Sequence, residues 1–283
     1  MGLPMATNLA VAGHRMLVWN RSRAKADEYV TAHQATAANT PAEAASDADV
    51  VISMLADDAA VLEALTGDNG VTSTLQPGTI VIDMSTISPE TVRRLAAAVE
   101  RKTGKFIDAP VSGSVTAATE ASLTIMAAGP RDAVEAVRPL LSAMGSPVLH
   151  LGPSGNGAAM KLVVNTVVHS LNGAVSEALV LAERAGIERT MAYDVLLNSA
   201  AAAPFVHDRR ASFERPWDVP VTFRLALAAK DLRLALALGQ QSGAILPQTE
   251  TNLTMLEVAS AGGFADQDET ILAEFYRSEG GHQ

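Results

Sequence analysis

The hydrophobic pattern of this chain changes character near residue 153. Before that point, short unbroken apolar runs alternate with stretches of helical period. Runs at 16–20, 50–55, 79–83, 106–109, 123–127 and 148–151 predict strands, and stretches at 23–35, 57–65, 89–102 and 132–144 predict helices. Continuous apolar strands alternating with helices are the pattern of a parallel sheet covered on both faces. Beyond residue 157 only the helical period remains, over 158–185, 190–199, 203–213, 223–242 and 247–261. Gly186 and Gly243 stand where a chain commonly leaves a helix in the left-handed conformation. The expected fold is a doubly wound α/β domain over residues 1–153, followed by an all-helical domain over residues 154–283.

Composition narrows the function classes. A chain of 283 residues is long enough for two cores. Its formal charge of −10 argues against a nucleic-acid partner. It has no cysteine, so disulfides and thiolate metal sites are excluded, and no histidine or carboxylate spacing suggests a metal. The most apolar long stretch, 162–182, contains Asn165, His169, Asn172 and Glu177. That reads as a buried core helix rather than a membrane span, and His169 within it reads as a satisfied core or interface residue. No charged-then-apolar leader opens the sequence, and a cytoplasmic protein is expected.

The candidate chemistry is concentrated at the domain boundary. Lys161 and Asn165 are four residues apart in a predicted helix and so share one face. Gly155 and Gly157 permit a tight entry to that helix. An ammonium beside a carboxamide suits the protonation and orientation of a carbonyl oxygen; the plain alternative is a solvated lysine. A second group lies near the start. Gly2, Leu3, Pro4 and Met5 read as a helix start with proline in its first turn. The strand at 16–20 ends on Asn20, Arg21 and Ser22, with Arg23 and Lys25 following. Nucleotide sites specific for NAD place an acidic residue at such a strand end, whereas a 2′-phosphate calls for arginine and small polar donors. These residues fit NADP, with NAD possible; alternatively, Asn20 or Ser22 only caps the next helix.

Four segments together resemble the β-hydroxyacid dehydrogenase family, which includes 3-hydroxyisobutyrate dehydrogenases and glyoxylate and succinic semialdehyde reductases. Gly2-Leu-Pro-Met-Ala-Thr-Asn-Leu9 is similar to the tail of the family's glycine-rich start. Asp108-Ala-Pro-Val-Ser-Gly-Ser114, running on to Ala121-Ser-Leu-Thr-Ile-Met126, resembles its substrate loop. Gly155, Gly157, Lys161 and Asn165 match its catalytic segment. Phe223, Lys230, Asp231 and Leu232 match a segment that closes over the nicotinamide, and Asp83-Met-Ser-Thr86 also matches. The resemblance implies a Rossmann-like sheet, like that of 6-phosphogluconate dehydrogenase, with Lys161 as general acid/base and Asn165 as a substrate-holding residue. It implies that Ser112, Gly113 and Ser114 bind a substrate carboxylate. Gly2, Leu3, Pro4, Met5, Asn20, Arg21, Ser22, Met54, Leu55, Thr86 and Lys230 would face the cofactor.

Departures from the family pattern also shape the expectations. The first strand and first two glycines of the cofactor turn are not in this sequence, and the natural polypeptide is expected to start upstream. A sheet without that strand would expose its neighbours' edges. Ser114, Ala117 and Ala121 stand where many members have glycine, and 200–204 is a run of small apolar residues near where selectivity is set. The favoured function is an NADPH-preferring reductase of small aldehyde or keto acids, or the reverse dehydrogenase. An imine reductase and a non-catalytic Rossmann-fold binding protein are the alternatives, Lys161 counting against both. The apolar helix at 158–185 predicts a homodimer.

Overall fold

The structure, a computed structural model, describes residues 1–279. The chain separates into two compact units, Met1–Lys161 and Leu162–Gln283. In the first unit α1 (Gly2–Val11) precedes β1 (Met16–Val18), α2 (Arg23–Ala32), β2 (Ala35–Ala37) and α3 (Pro41–Ala45). Then come β3 (Val50–Ser53), α4 (Asp58–Thr66), β4 (Ile80–Asp83), α5 (Pro89–Glu100) and β5 (Lys105–Asp108). The unit closes with β6 (Val111–Ser112), α6 (Val115–Thr119), β7 (Thr124–Ala127), α7 (Arg131–Ser142), β8 (Val148–His150) and the start of α8 (Asn156–Arg184).

Local chemistry explains several of these boundaries. The side chains of Thr40, Asp57 and Ser88 accept hydrogen bonds from the amides of Glu43, Ala60 and Thr91, and so cap α3, α4 and α5. Pro41 and Pro89 follow their caps directly, where a missing N–H costs nothing. In β4 and β5 neighbouring residues point to opposite faces. Ile82 and Ile107 join a core with Ile125, Val134 and Leu141, while Val81 and Phe106 join one with Leu65, Leu95 and Val99. Both faces of the sheet are thus covered, as the unbroken apolar runs predict.

The doubly wound pattern has two departures. Strands β3, β4 and β5 are parallel, as are β1 with β2 and β7 with β8, but β6 pairs antiparallel with β7. An antiparallel bridge also joins Asp108 to Ala128, each amide donating to the other's carbonyl, at 3.0 and 2.8 Å. The 112–124 connection is spent on the short helix α6, too little for a parallel crossover. The second departure is a break in the sheet. β1 and β3 each stand at a sheet edge, and both border one cavity of about 650 Å³ walled by α1, α2 and α7. Among the described residues no strand pairs with those edges.

The second unit is helical, with α9 (Arg189–Leu197), α10 (Pro204–Asp208), α11 (Arg210–Glu214), α12 (Leu225–Ser242), α13 (Pro247–Ala259) and α14 (Leu272–Glu279). The single helix expected at 203–213 is two, broken at Arg209, whose φ of −96° and ψ of 2° leave the helical range. Helix α14, strand β2 and helix α6 are too short or too weakly patterned for the sequence to reveal them. Two clusters form this unit's core, one around Leu225, Leu232, Leu256 and Leu272, the other around Leu179, Tyr193 and Phe213. Among the described residues no helix is long and apolar enough to cross a membrane.

Ala121, one of the family's glycine positions, sits at a φ of 53°. An L-residue there carries the steric cost that glycine avoids. Ala121→Gly is expected to raise stability by about 0.5–1 kcal/mol once glycine's greater unfolded freedom is counted. That corresponds to a melting temperature about 1–4 °C higher. A lower value in calorimetry would show that the alanine is unstrained.

Candidate active site

The start of α8, where the candidate catalytic residues lie, is anchored by a buried carboxylate. Asp108, at the end of β5, is 1% exposed and accepts from the Gly155 amide through Oδ1 and the Ala158 amide through Oδ2, each at 2.9 Å. These are the unpaired donors at the start of α8, where a negative charge is favoured. Burial raises the Asp108 pKa, while the amides of Gly155 and Ala158 act to lower it. Gly157 fits where nothing larger can: a Cβ there would lie 2.5 Å from the Met126 carbonyl oxygen and 2.7 Å from that of Asp108. Gly155, at a φ of 99°, makes the turn into the helix.

Lys161 and Asn165 both fall in α8, one turn apart as expected, Lys161 half-buried and Asn165 buried. The Asn165 side chain is held from α12. Its Nδ2 donates to Asp231 Oδ2 at 2.6 Å, and Lys230 Nζ lies 3.0 Å from Asp231 Oδ1. Lys230 and Asp231 are therefore no exposed pair: Asp231 is 1% exposed. Burial works to raise the pKa of Asp231, but His169 and Lys230 outweigh it and hold the carboxyl below its ordinary value.

His169 is buried, as expected, but it is not simply satisfied. Its Nδ1 lies 2.8 Å from Glu269 Oε2, and its Nε2 faces Asp231 Oδ2 at 3.9 Å without a hydrogen bond. Arg209 reaches both Glu269 and Asp268, at 3.3 and 3.2 Å. Burial opposes the imidazolium, yet Glu269 and Asp231 prevail and push its pKa up to about 9. Sequence reasoning missed Glu269 and Arg209, which lie 100 and 40 residues from His169 and carry no local motif.

The other expected residues fall into separate groups. Gly2, Leu3, Met5, Asn20, Met54 and Leu55 line the 650 Å³ cavity; Pro4, Arg21, Ser22 and Thr86 are not in its walls. Helix α1 begins at Gly2 with no side-chain cap, and the first intrahelical bond runs from the Met5 amide to the Met1 carbonyl. Pro4 has no N–H, which leaves the Gly2 and Leu3 amides as the donors at the helix start. Gly2 abuts Met54, whose Cβ a Gly2 Cβ would meet at 3.6 Å. Ser22 is the N-cap residue of α2, but its hydroxyl makes no capping bond; Asn20 Oδ1 accepts from the Ser22 amide instead. Arg21 and Ser22 are exposed, and among the described residues Arg21 makes no ion pair, whereas Arg23 is engaged by Asp27 and Asn39. These donors fit a phosphorylated nucleotide.

At the end of β6, Gly113 has a φ of 142°, and a Cβ there would lie 2.9 Å from Leu123 Cδ2. Ser114 caps α6, its Oγ accepting from the Ala117 amide at 3.2 Å. Ser112 is half-buried beside them. Thr86 follows a polar knot in which Ser53 and Ser85 donate to Asp83 at 2.6 and 2.8 Å, and Ser85 Oγ accepts from the Leu55 amide. Burial pushes Asp83 up to about 6, against the hydrogen bonds from Ser53 and Ser85. Among the described residues no cluster of histidines and carboxylates could hold a metal.

Comparison with known proteins decides the family. Residues 1–152 match the family model described as the NAD binding domain of 6-phosphogluconate dehydrogenase, and residues 155–276 match the NAD-binding model of NADP-dependent 3-hydroxyisobutyrate dehydrogenase. The chain belongs to the β-hydroxyacid dehydrogenase family. It is an NAD(P)-dependent oxidoreductase of that family. Glyoxylate/succinic semialdehyde reductase 1 of Arabidopsis thaliana is 35% identical over 97% of this chain and 94% of its own. The NAD-dependent L-serine dehydrogenase of Pseudomonas aeruginosa is 32% identical over 98% of this chain and 94% of its own. The solved structure of Mycobacterium tuberculosis 3-hydroxyisobutyrate dehydrogenase with L-serine is 30% identical, with a TM-score of 0.84 over 98% of this chain and 96% of that one.

The charge state of His169 gives a pH prediction. Its folded pKa, about 9, lies above the ordinary 6.5, so its contribution to stability is complete below pH 6.5 and is lost as pH rises through 9. Wild-type melting temperature should fall over that range, and His169→Gln should flatten the fall. Parallel curves for the two proteins would show that His169 is not the titrating group.

Proposed function

We propose that this chain transfers hydride between NADP(H), NADPH preferred, and a small aldehyde or keto acid or the matching hydroxy acid. The observation that carries the reading is Asn165: its amide is fixed to buried Asp231 one helical turn from Lys161. A carboxamide held that way offers a set pattern of donor and acceptor, and a lysine at that spacing can serve the same substrate oxygen. Gly2 and Leu3 would hold the pyrophosphate on their amides, and Arg21 and Ser22 the 2′-phosphate, with Asn20 shaping their turn. Pro4, Met5, Met54, Leu55, Thr86 and Lys230 complete the cofactor's surroundings.

The bound nicotinamide supplies or accepts the hydride. Lys161 gives a proton to the oxygen on which negative charge develops during reduction, and takes it back in oxidation. Asn165 orients that oxygen, while Ser112, Gly113 and Ser114 hold the substrate carboxylate through hydroxyl and backbone donors. The partner is a small carboxylate, with no role for nucleic acid or membrane, and the compartment is cytoplasmic. The relatives are named for different substrates, and glyoxylate, succinic semialdehyde, L-serine and 3-hydroxyisobutyrate are the panel to test.

Lys161→Ala is expected to lower kcat by at least about a hundredfold with unchanged NADPH binding. Arg21→Ala is expected to weaken NADPH and leave NADH unaffected. Near-normal turnover of the lysine variant would remove Lys161 from the mechanism, and equal use of NADH by wild type would remove the NADP preference. Cofactor binding without turnover of any panel member would favour the non-catalytic alternative.

The same reading includes a homodimer. Helix α8 carries Met160, Val163, Val167 and Leu181 at spacings that keep one face, and Val163, Val167 and Leu181 are 50%, 58% and 72% exposed. A second copy's α8 offers the self-complementary surface that two-fold pairing requires. The doubly substituted V163E/V167E chain should sediment as a monomer at a concentration where wild type is a dimer. A monomeric wild type at micromolar concentration would end this proposal.

A further inference from the structure

The buried groups of the second unit form a chain of alternating charge, of which the proposed reaction uses only Lys230 directly. Arg209 faces Glu269 and Asp268; Glu269 faces His169; His169 faces Asp231; Asp231 holds Lys230 and the Asn165 amide. The cations are Arg209, His169 and Lys230, and the anions Asp268, Glu269 and Asp231. With His169 protonated the set is neutral; with His169 neutral it holds one uncompensated negative charge among groups that are largely buried. Geometry makes the same demand. With Nδ1 donating to Glu269, a neutral ring would turn the Nε2 lone pair toward Asp231 Oδ2 at 3.9 Å, whereas the imidazolium turns an N–H toward it. The Phe223 ring stacks on His169 with centroids 5.8 Å apart and closes that side with carbon. Asn172 Nδ2 donates to the Glu269 carbonyl at 2.9 Å, tying the segment that bears Glu269 back to α8.

We infer that His169, as an imidazolium paired with Glu269, is a positioning residue: it holds Asp231 in place so that Asp231 fixes the Asn165 carboxamide. This rests on the reading of Asn165 as the substrate-orienting group. Asp231 Oδ2 is the shared atom, receiving Asn165 Nδ2 at 2.6 Å and facing His169 Nε2. Without the cation on that side, Asp231 is drawn toward Lys230 alone, and the carboxamide loses its fixed orientation. The pair therefore sets substrate affinity more than the rate of proton transfer.

The test uses the full chain with His169→Gln and with the double substitution His169→Leu/Glu269→Leu. Replacing both members of a buried pair by apolar groups of similar size is often close to neutral for stability. The double variant thus separates positioning from folding. Two readouts are taken: KM and kcat for NADPH-dependent glyoxylate reduction between pH 6 and 10, and hydrogen exchange of the Asn165 side-chain amide by NMR, assigned by its loss in Asn165→Asp. Both variants should raise KM about tenfold or more while kcat stays within about threefold, the split expected when a binding contact is loosened. Wild-type KM should rise above pH 9, and that rise should be absent from the double variant. The protection of that amide, its exchange rate relative to a free carboxamide at the same pH, should fall about tenfold in both variants and in wild type above pH 9. A double variant with wild-type KM, or with unchanged amide exchange, overturns the inference. If wild type neither reduces glyoxylate or succinic semialdehyde with NADPH nor oxidises L-serine or 3-hydroxyisobutyrate with NADP+, the functional reading has failed, and the amide exchange still decides the positioning role. Should the double variant not fold, the pH dependence of that protection in wild type decides it: a protection factor unchanged through pH 9 overturns it.

Discussion

One buried carboxylate sets the geometry on which the candidate chemistry depends. Asp108 takes the first free amides of α8 at two points, and Gly157 brings the helix start against strand carbonyls where no side chain would fit. The end of β5 and the start of α8 are thereby joined without an intervening layer of side chains. The first turn of α8, as far as Lys161, is placed by that cap. Within α8, Lys161, Asn165, His169 and Asn172 share one face of the helix, since they follow one another at spacings of four, four and three. The desolvation of Asp108 is offset by amides that would otherwise be unpaired, so each group answers the other's need.

Farther along α8 the same face is held by charge rather than by backbone. Asn165 and His169 meet Asp231 from α12, and Glu269 and Arg209 extend the network. Buried ion pairs add little net stability compared with apolar packing, but breaking one member is costly. Such a network fixes orientation, and the Asn165 carboxamide, proposed to orient the substrate, is the group it holds here. The two anchors differ in kind: neutral amides on Asp108, and an alternating series of ions around Asp231.

Much of the fold was legible because local patterns and burial agree. The apolar strands at 50–55, 79–83 and 106–109, the capped helices after Asp57 and Ser88, and the change to all-helical period all appear within a residue or two of expectation. The antiparallel β6–β7 pair and the split at Arg209 were not legible, because each depends on what a short segment meets and not on its own period. Ala121 shows the same limit from the other side: the residue type says nothing of a left-handed φ, which the turn before β7 imposes.

For the site, the sequence by itself determined the helical spacing of Lys161 and Asn165, the pair proposed to carry the chemistry, because an i, i+4 pair shares a face wherever the helix forms. It also determined the basic, acid-free end of β1 that bears Arg21 and Ser22. Only the tertiary structure decided that Asp108 would cap α8, that Asp231 would be buried against Asn165, and that Glu269 and Asp231 would raise the pKa of His169. Those outcomes depend on partners 47 to 100 residues away, and on a burial that makes an unpaired charge too costly to keep.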